Sequence, residues 1–221
     1  MDLSFLSQTM LFRGIPPEEI GAMSSCLGFR TVRYVRGSVI YMTGRTDVDI
    51  GLVLSGAVQV ESNDLMGVKS ILNIVEPGGV FAEAYACCPD EPLMVDVVAL
   101  KDSEILFLNV KKVFHTCPAP CGRHTDMIRN LVSVCSRKNI RLSQRIMDTS
   151  SKTIRGRLAS YLTREVRLQG KNEVVIPFDR QQLADYLGVD RSALSKELGK
   201  MKRDGLLDYR KNRFVVLTPD L

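Results

Sequence analysis

The chain has 221 residues, of which 45% are hydrophobic and 25% charged, and its formal net charge is +5. This composition is that of an ordinary globular protein, and the length allows one large or two small domains. No apolar run reaches 18 residues, and the N-terminal residues lack the basic region and cleavage site of an export signal, so we expect a cytoplasmic protein without a membrane partner.

The first 30 residues or so predict helices, because prolines 16 and 17 suit a helix start and apolar residues follow at helical spacing. Between Arg30 and Leu108 the pattern changes to short strands separated by turn signals such as Ser55-Gly56 and Pro77-Gly78. The predicted strands are 39–41, 50–54, 57–60, 69–74, 96–100 and 104–108. Strands at this spacing indicate a small antiparallel barrel or roll.

A helical period follows from Thr125 to about Asp148. Its apolar stripe consists of Ile128, Leu131, Cys135, Leu142 and Ile146. A long helix with a narrow apolar seam most often pairs with a copy of itself, and the alternative is that it packs on its own barrel. The polar break at residues 149–151 is the predicted hinge to the last part of the chain.

Two short helices joined by a tight turn are predicted within residues 178–198. Gly188 supplies the positive φ that ends the first helix, and Asp190 is an N-cap for the second. The exposed face of the second helix carries Arg191, Ser192, Ser195 and Lys196. This layout is typical of a DNA-binding helix-turn-helix, whose second helix enters the major groove.

A hairpin predicted from Asp208 to Leu217, with Lys211-Asn212 at its tip, would form a wing beside these helices. Residues 151–221 contain 15 Lys and Arg against 9 Asp and Glu, whereas residues 1–124 contain 10 against 14. An acidic front half and a basic back half are expected when only the back half meets phosphate. The alternative is a helical hairpin whose charges are simply solvated.

These motifs resemble the Crp–Fnr family, named for the cyclic-AMP receptor protein and the fumarate and nitrate reduction regulator. The resemblance spans about residues 10–217 and is strongest at residues 154–162 and 180–207. In the roll, the resemblance rests on residues 53–58, Pro77-Gly78 and residues 81–83. It implies an α+β fold with an N-terminal antiparallel β-roll of the cyclic-nucleotide-binding kind, a dimerisation helix and a C-terminal winged helix-turn-helix. The implied domains are 1–124, 125–148 and 149–221.

The resemblance also implies a bacterial, homodimeric transcription regulator that binds a near-palindromic operator and works with RNA polymerase. It implies that Arg191, Ser192, Ser195 and Lys196 read the bases and that Arg180 and Gln181 hold the phosphate backbone. The family usually has glutamate where this chain has Ser192. Because a carboxylate accepts from cytosine, we do not expect the usual half-site sequence.

The roll departs from the members that bind cyclic AMP, which carry Gly-Glu and, about ten residues on, Arg-Ser or Arg-Thr. Here the two pairs are Ala82-Glu83 and Leu93-Met94. A buried cyclic phosphate beside Leu93 would lack a counter-charge, at a cost of several kcal/mol. The resemblance places Leu142-Ser143 near the ligand base. We therefore expect an effector other than a cyclic nucleotide, of unknown identity, or an unused remnant of the pocket.

The only two histidines flank a cysteine pair, in the order His115, Cys117, Cys121 and His124. Thiols and imidazoles are zinc ligands, and Cys117 at a helix start would have a lowered pKa. A capped helix start with small buried thiols is favoured over a redox pair or a metal site. The prolines and the short loop would strain a metal site that takes four ligands from one segment. A thiol-sensing regulator that uses Cys117 and Cys121 is the alternative function.

An enzyme requires a catalytic constellation, and the sequence provides none. A metal-binding cupin is also a small barrel, but it binds metal through strand histidines and residues 30–108 contain no histidine. The G-x-S-x-G, Walker and G-x-G-x-x-G motifs are also absent. We therefore expect a DNA-binding regulator that is not an enzyme; a structural DNA-bending protein without an effector is a third interpretation.

Overall fold

The computed structural model describes residues 1–63, 69–114 and 122–218. Contacts divide the chain into two compact units, Met1–Arg137 and Lys138–Leu221. The first unit combines antiparallel sheets with short helices, and the second carries a helix-turn-helix with a small sheet. The predicted α+β fold is confirmed.

The first unit begins with two helices, and its strands then alternate with turns. The elements are α1 (Leu3–Gln8), α2 (Pro17–Cys26), β1 (Arg30–Tyr34), β2 (Val39–Tyr41), β3 (Ile50–Ser55), β4 (Val58–Asn63), β5 (Lys69–Val75), β6 (Val80–Phe81), α3 (Glu83–Cys87), β7 (Asp96–Ala99), β8 (Ser103–Leu108) and α4 (Val110–Phe114). Helix α2 starts with Pro17 at its first position, as the sequence predicts. Strands β1 and β6 and helices α3 and α4 were not singled out by the sequence pattern.

The strands form two four-stranded antiparallel sheets, in the orders β1-β8-β3-β6 and β2-β7-β4-β5. Strand β3 pairs with β8 so that Leu52 lies opposite Leu106, and both are buried. Between the sheets, the rings of Tyr41, Phe81 and Phe107 pack edge to face. These two sheets around one core form the antiparallel roll predicted from the strand spacing.

A long helix, α5 (Gly122–Thr149), follows the roll. Its buried hydrophobic residues in the first unit are Met127, Leu131 and Val134, which belong to the core of the roll. Leu131 is only 2% exposed, so the prediction that it lies in a helix–helix seam is wrong. The helix also exposes several large apolar side chains, namely Val132, Ile140, Leu142, Ile146 and Met147. Within the described ranges, neither α5 nor another helix is long and apolar enough to cross a membrane.

The second unit contains the end of α5 and a winged helix-turn-helix. Its further elements are α6 (Ile154–Gln169), β9 (Glu173–Val175), α7 (Arg180–Leu187), α8 (Arg191–Arg203), β10 (Leu207–Arg210) and β11 (Arg213–Val216). The strands form an antiparallel sheet in the order β10-β11-β9. Leucines from α6, α7 and α8 share one core with Phe214 of the wing, so the wing and the helices fold as one body.

Candidate nucleic-acid interface and sensor site

The turn between α7 and α8 is fixed by local hydrogen bonds and one glycine. Asp179 and Gln182 form a reciprocal capping box at the start of α7. Gly188 ends α7 at φ +64°, and Asp190 then caps α8 by accepting from the Ala193 amide at 2.8 Å. Both of these predicted signals are therefore present in the structure.

The orientation of α8 follows from its apolar stripe. Leu194, Leu198 and Met201 are fully buried in one core with Leu183, Ala184 and Leu187 of α7. The opposite face is consequently exposed over the first two turns. It carries the four side chains that the sequence analysis assigned to base reading, Arg191, Ser192, Ser195 and Lys196.

The exposed cations of this unit differ in whether a carboxylate neutralises them. Lys200 lies 3.6 Å from Glu197, and Lys202 pairs with Asp208. Among the described residues, no ion pair engages Arg191 or Lys196. The face of α8 that points to solvent is therefore the one that keeps its positive charge available for an anionic partner.

Arg180 and Gln181, predicted to hold phosphate, occupy different surroundings. The Arg180 guanidinium lies 5.0 Å from the ring centroid of Tyr209 and 5.7 Å from that of Phe214, and it donates to the Lys211 carbonyl. Loss of hydration in this half-buried position lowers the pKa of Arg180. Arg180 therefore also ties α7 to the wing, whereas Gln181 is exposed.

The wing is a tight hairpin with basic residues at its tip. Strands β10 and β11 pair from Leu207 opposite Val216 to Arg210 opposite Arg213. Lys211 takes the left-handed conformation at φ +55°, and the Asn212 side chain donates to the Ile176 carbonyl at 3.0 Å. Arg210 and Lys211 are exposed beside the helix-turn-helix.

A buried carboxylate connects three helices of this unit, and the sequence analysis missed it. Asp148, in the last turn of α5, is 1% exposed. It accepts from Arg164 of α6 at 2.9 Å and from the Tyr186 hydroxyl of α7 at 2.8 Å. Burial and the hydrogen bond to Asp148 raise the pKa of Tyr186 to about 12. No local pattern marks Asp148, because its partners lie 16 and 38 residues along the chain.

In the roll, Ala82 and Glu83 form the start of α3. Ala82 is the N-cap and adopts φ +60° and ψ +7°, the left-handed region that favours glycine. A non-glycine residue held there is strained, and such strain clusters at ligand clamps and switch regions. Glu83 is buried next to it. Ala82 thus holds a backbone conformation for which glycine is the favoured residue.

Leu93 and Met94, the second predicted pair, have opposite surroundings. Leu93 is 1% exposed and packs in the core of the roll, while Met94 is 75% exposed. The Leu93 backbone pairs with Gly44 and Arg45. The Arg45 guanidinium lies 5.1 Å from the Tyr41 ring centroid and donates to the Asp47 carbonyl. Arg45, whose carbonyl accepts from the Leu93 amide, therefore already contacts Tyr41 and Asp47 through its side chain.

Leu142 and Ser143, predicted to approach the ligand base, are both exposed on α5 in the second unit. Of the predicted histidine and cysteine set, His115, Cys117 and Cys121 lie outside the described residues. His124 is described and is buried near the start of α5. Within the described ranges, no group of three or more His, Cys, Asp or Glu side chains is arranged to hold a metal ion.

The adjacent cysteines Cys87 and Cys88 differ in burial. Cys87 packs against the core of the roll, while Cys88 at the end of α3 is exposed. Burial, with smaller contributions from Cys135, Cys88 and Glu83, raises the pKa of the Cys87 thiol to about 11.

We therefore expect Cys87 to react with iodoacetamide at pH 8 at least about tenfold more slowly than the exposed Cys88, since only roughly a thousandth of a thiol of pKa 11 is ionised at that pH and burial also limits access of the reagent. Peptide mass spectrometry at timed intervals measures both rates in one sample. Urea-unfolded protein is the control, in which the two rates should converge. Equal rates in the folded protein would contradict the burial of Cys87.

Comparison with known protein families supplies the identity of both units. A family model of the cyclic nucleotide-binding domain matches residues 31–117, and a model of the Crp-like helix-turn-helix domain matches residues 156–221. The chain belongs to the Crp–Fnr family of transcription regulators. As a member of this family, it is a DNA-binding transcription regulator with a sensor domain, and regulators of this kind are generally not enzymes.

Three solved structures have a fold similar to that of this chain. The Thermus thermophilus catabolite activator protein is 22% identical, with a TM-score of 0.52 over 94% of this chain and 93% of that one. CprK in complex with OCPA is 16% identical, with a TM-score of 0.65 over 91% and 90% of the two chains. The sensor domain of the regulator DNR from Pseudomonas aeruginosa is 18% identical, with a TM-score of 0.50 over 68% and 94%. None of the curated protein sequences compared with the chain matches it.

Proposed function

We propose that this Crp–Fnr protein is a homodimer that reads a near-palindromic operator with α8 and senses an effector other than a cyclic nucleotide in its roll. The observation that carries the DNA-binding part is the exposed face of α8, where Arg191 and Lys196 form no ion pair within the described part of the chain. Arginine and lysine donate to guanine O6 and N7 in the major groove. Arg180, Gln181 and the wing tip are the proposed phosphate contacts, which position the helix without reading sequence.

Replacing Arg191 and Lys196 by alanine should cost about 1–3 kcal/mol per base contact on a selected operator, and should flatten its sequence preference. Neither side chain packs in the core, so the circular dichroism spectrum should not change. The measurement is fluorescence anisotropy of the full-length protein with the selected operator and with a scrambled duplex of equal length.

The matched control is Lys200→Ala/Lys202→Ala, which removes the same formal charge from cations that Glu197 and Asp208 already neutralise. The control should weaken the operator and the scrambled duplex alike, and by less. Equal operator affinity of the wild type and the Arg191→Ala/Lys196→Ala variant would refute the assignment of α8 as the reading helix.

The proposed dimer rests on the spacing and exposure of apolar residues along α5. Ile128, Val132, Cys135, Asn139, Leu142 and Ile146 follow the alternating spacing of four and three residues that defines a coiled-coil seam. Leu142 and Ile146 are 61% and 67% exposed in the single chain. Asn139 occupies a central seam position, where one polar residue specifies register and partner number. Two copies of this helix would cover the apolar side chains that one copy leaves in water.

The residues of the roll argue against a cyclic nucleotide as the effector. The position that carries arginine in cyclic-AMP-binding members is Leu93, which is packed in the core, and its neighbour Arg45 is engaged with Tyr41 and Asp47. A cyclic phosphate placed there would lose its hydration without gaining a cation. Glu83 retains a carboxylate that suits a hydrogen-bond donor such as a hydroxyl or amine. The proposed ligand class is an apolar molecule with a polar donor.

Calorimetry with cyclic AMP and with cyclic GMP should therefore show no binding at up to about 1 mM, a limit equivalent to about −4.1 kcal/mol. The titration uses full-length protein with and without operator DNA, because DNA and effector binding are linked in an allosteric regulator. Micromolar binding of either nucleotide that is lost in a Glu83→Ala variant would show that another basic group serves the phosphate.

A further inference from the structure

Two hydroxyl groups lie between the two cations on the exposed face of α8, at Ser192 and Ser195. A serine hydroxyl has one donor hydrogen and two acceptor lone pairs, so by itself it contacts donors and acceptors on base edges equally well. Sequence alone therefore leaves the bases opposite Ser192 and Ser195 undefined. The structure shows where each hydroxyl hydrogen goes.

The Ser192 hydrogen is committed to Asp190. The Ser192 hydroxyl oxygen lies 2.6 Å from the Asp190 Oδ1 atom, which also accepts from the Ala193 amide at 2.8 Å. The hydrogen bond from Ser192, followed by that from the Ala193 amide, lowers the pKa of Asp190, so the carboxylate is ionised at neutral pH. An ionised carboxylate only accepts, and Ser192 must be the donor.

The Ser195 hydrogen is committed within α8 itself. Its hydroxyl lies 2.9 Å from the Arg191 carbonyl oxygen, one helical turn earlier. A backbone carbonyl accepts and cannot donate, so the direction of this hydrogen bond is also fixed. Both hydroxyls thus turn their hydrogens towards the protein and present only lone pairs to an approaching base edge.

We infer that Ser192 and Ser195 act as hydrogen-bond acceptors only, and that each selects a base with an amino group, adenine or cytosine, on the strand it faces. The inference rests on the proposed role of α8 as the reading helix. Adenine N6 and cytosine N4 are the amino donors of the major groove, whereas guanine and thymine show acceptors at O6, N7 and O4. Using Ser192 as a donor would break a charge-assisted hydrogen bond, which is about twice as strong as a neutral one.

The exposed face of α8 then carries two acceptors flanked by two donors along the helix. Arg191 and Lys196 donate and select guanine, while Ser192 and Ser195 accept and select either amino base. The serine positions should be twofold degenerate, accepting adenine and cytosine at similar frequency and rejecting guanine and thymine on the same strand. The missing glutamate at position 192 does not abolish recognition of cytosine, because an acceptor still stands there.

The test is selection of operators from a duplex library by the full-length protein and by three variants, with base frequencies read by sequencing. The positions that change in Ser192→Ala and in Ser195→Ala identify the contacts of each serine. In the wild type these positions should hold adenine or cytosine on one strand. Each alanine variant should lose about two- to tenfold in affinity for the wild-type operator, the range expected for one hydrogen bond. It should also gain thymine, whose methyl group suits an alanine side chain.

The third variant, Asp190→Gly, separates the direction of the hydrogen bond from the presence of the hydroxyl. Glycine is a good N-cap, so α8 should stay folded by circular dichroism. The Ser192 hydrogen is then released, and guanine and thymine should be recovered at the Ser192 position while the Ser195 position stays unchanged. Removing the Asp190 carboxylate should also raise the affinity for every DNA sequence by the same factor. Such a uniform change does not alter the base frequencies, which report only relative affinity.

Guanine or thymine at the serine positions of the wild type, or unchanged frequencies in the alanine variants, would overturn the inference. In that case, operator binding by the Arg191→Ala/Lys196→Ala variant decides whether α8 is the reading helix. If that variant has lost the operator, α8 still reads the DNA and only the acceptor assignment fails. If it binds normally, the proposed reading helix fails as well.

Discussion

The Leu142→Asp/Ile146→Asp variant should be monomeric at micromolar concentration and should lose at least about 100-fold in operator affinity, because one protomer then engages one half-site. Burial of one leucine or isoleucine contributes about 1.5–3 kcal/mol, and the variant replaces two such side chains of the proposed seam in each chain. The substitutions remove these contributions and place four carboxylates in the seam. Both residues are exposed in the single chain, so each protomer should keep its fold.

Sedimentation equilibrium and operator binding measure the two effects on the same samples. The control is Arg141→Gln/Gln144→Asp, which changes the charge of α5 by the same amount away from the seam. It should remain dimeric and bind the operator with wild-type affinity. Leu131 is unsuitable for this experiment, since a charge there would enter the core of the roll. A wild-type monomer with full operator affinity would contradict the proposed dimer.

The Asp148→Ala variant should lose about 3–5 kcal/mol of the free energy of unfolding in the unit that carries the helix-turn-helix, the range observed when one partner of a buried ion pair is removed. Arg164 and the Tyr186 hydroxyl would each lose an acceptor inside the protein. Arg164 keeps a second carboxylate, Glu165 at 3.0 Å, so the lower end of that range is expected. Urea unfolding followed by circular dichroism gives the value.

Three further variants separate the buried charge from ordinary surface effects. Glu173→Gln breaks an exposed pair with Arg213 and should cost less than about 1 kcal/mol. Tyr186→Phe removes one hydrogen bond and should cost about 1 kcal/mol. Asp148→Leu/Arg164→Met should recover much of the loss, because replacing both partners leaves no unpaired charge. An Asp148→Ala variant as stable as Glu173→Gln would show that the cluster contributes nothing.

Short-range chemistry determined much of this protein from the sequence. The fold follows from the strand spacing between residues 30 and 108, the helical period after residue 125, and the capping signals at Gly188 and Asp190. The exposed face of α8 could also be predicted, because three apolar side chains at helical spacing bury one side and leave the other in water. Each of these signals lies within a few residues of the feature it specifies.

Only the tertiary structure decided which partners distant side chains meet. The α5 stripe mixes Leu131, which packs on the roll, with Leu142, which is exposed, and helical spacing cannot separate the two faces. Nothing in the local sequence distinguishes Asp148 from the other acidic residues. Its role depends on α6 and α7, which place Arg164 and Tyr186 against it. The direction of the Ser192 hydrogen bond depends on the turn that places its hydroxyl 2.6 Å from the Asp190 carboxylate. Sequence periodicity reports which side of an element is apolar, whereas burial, charge pairing and hydrogen-bond direction depend on atoms that the fold brings together.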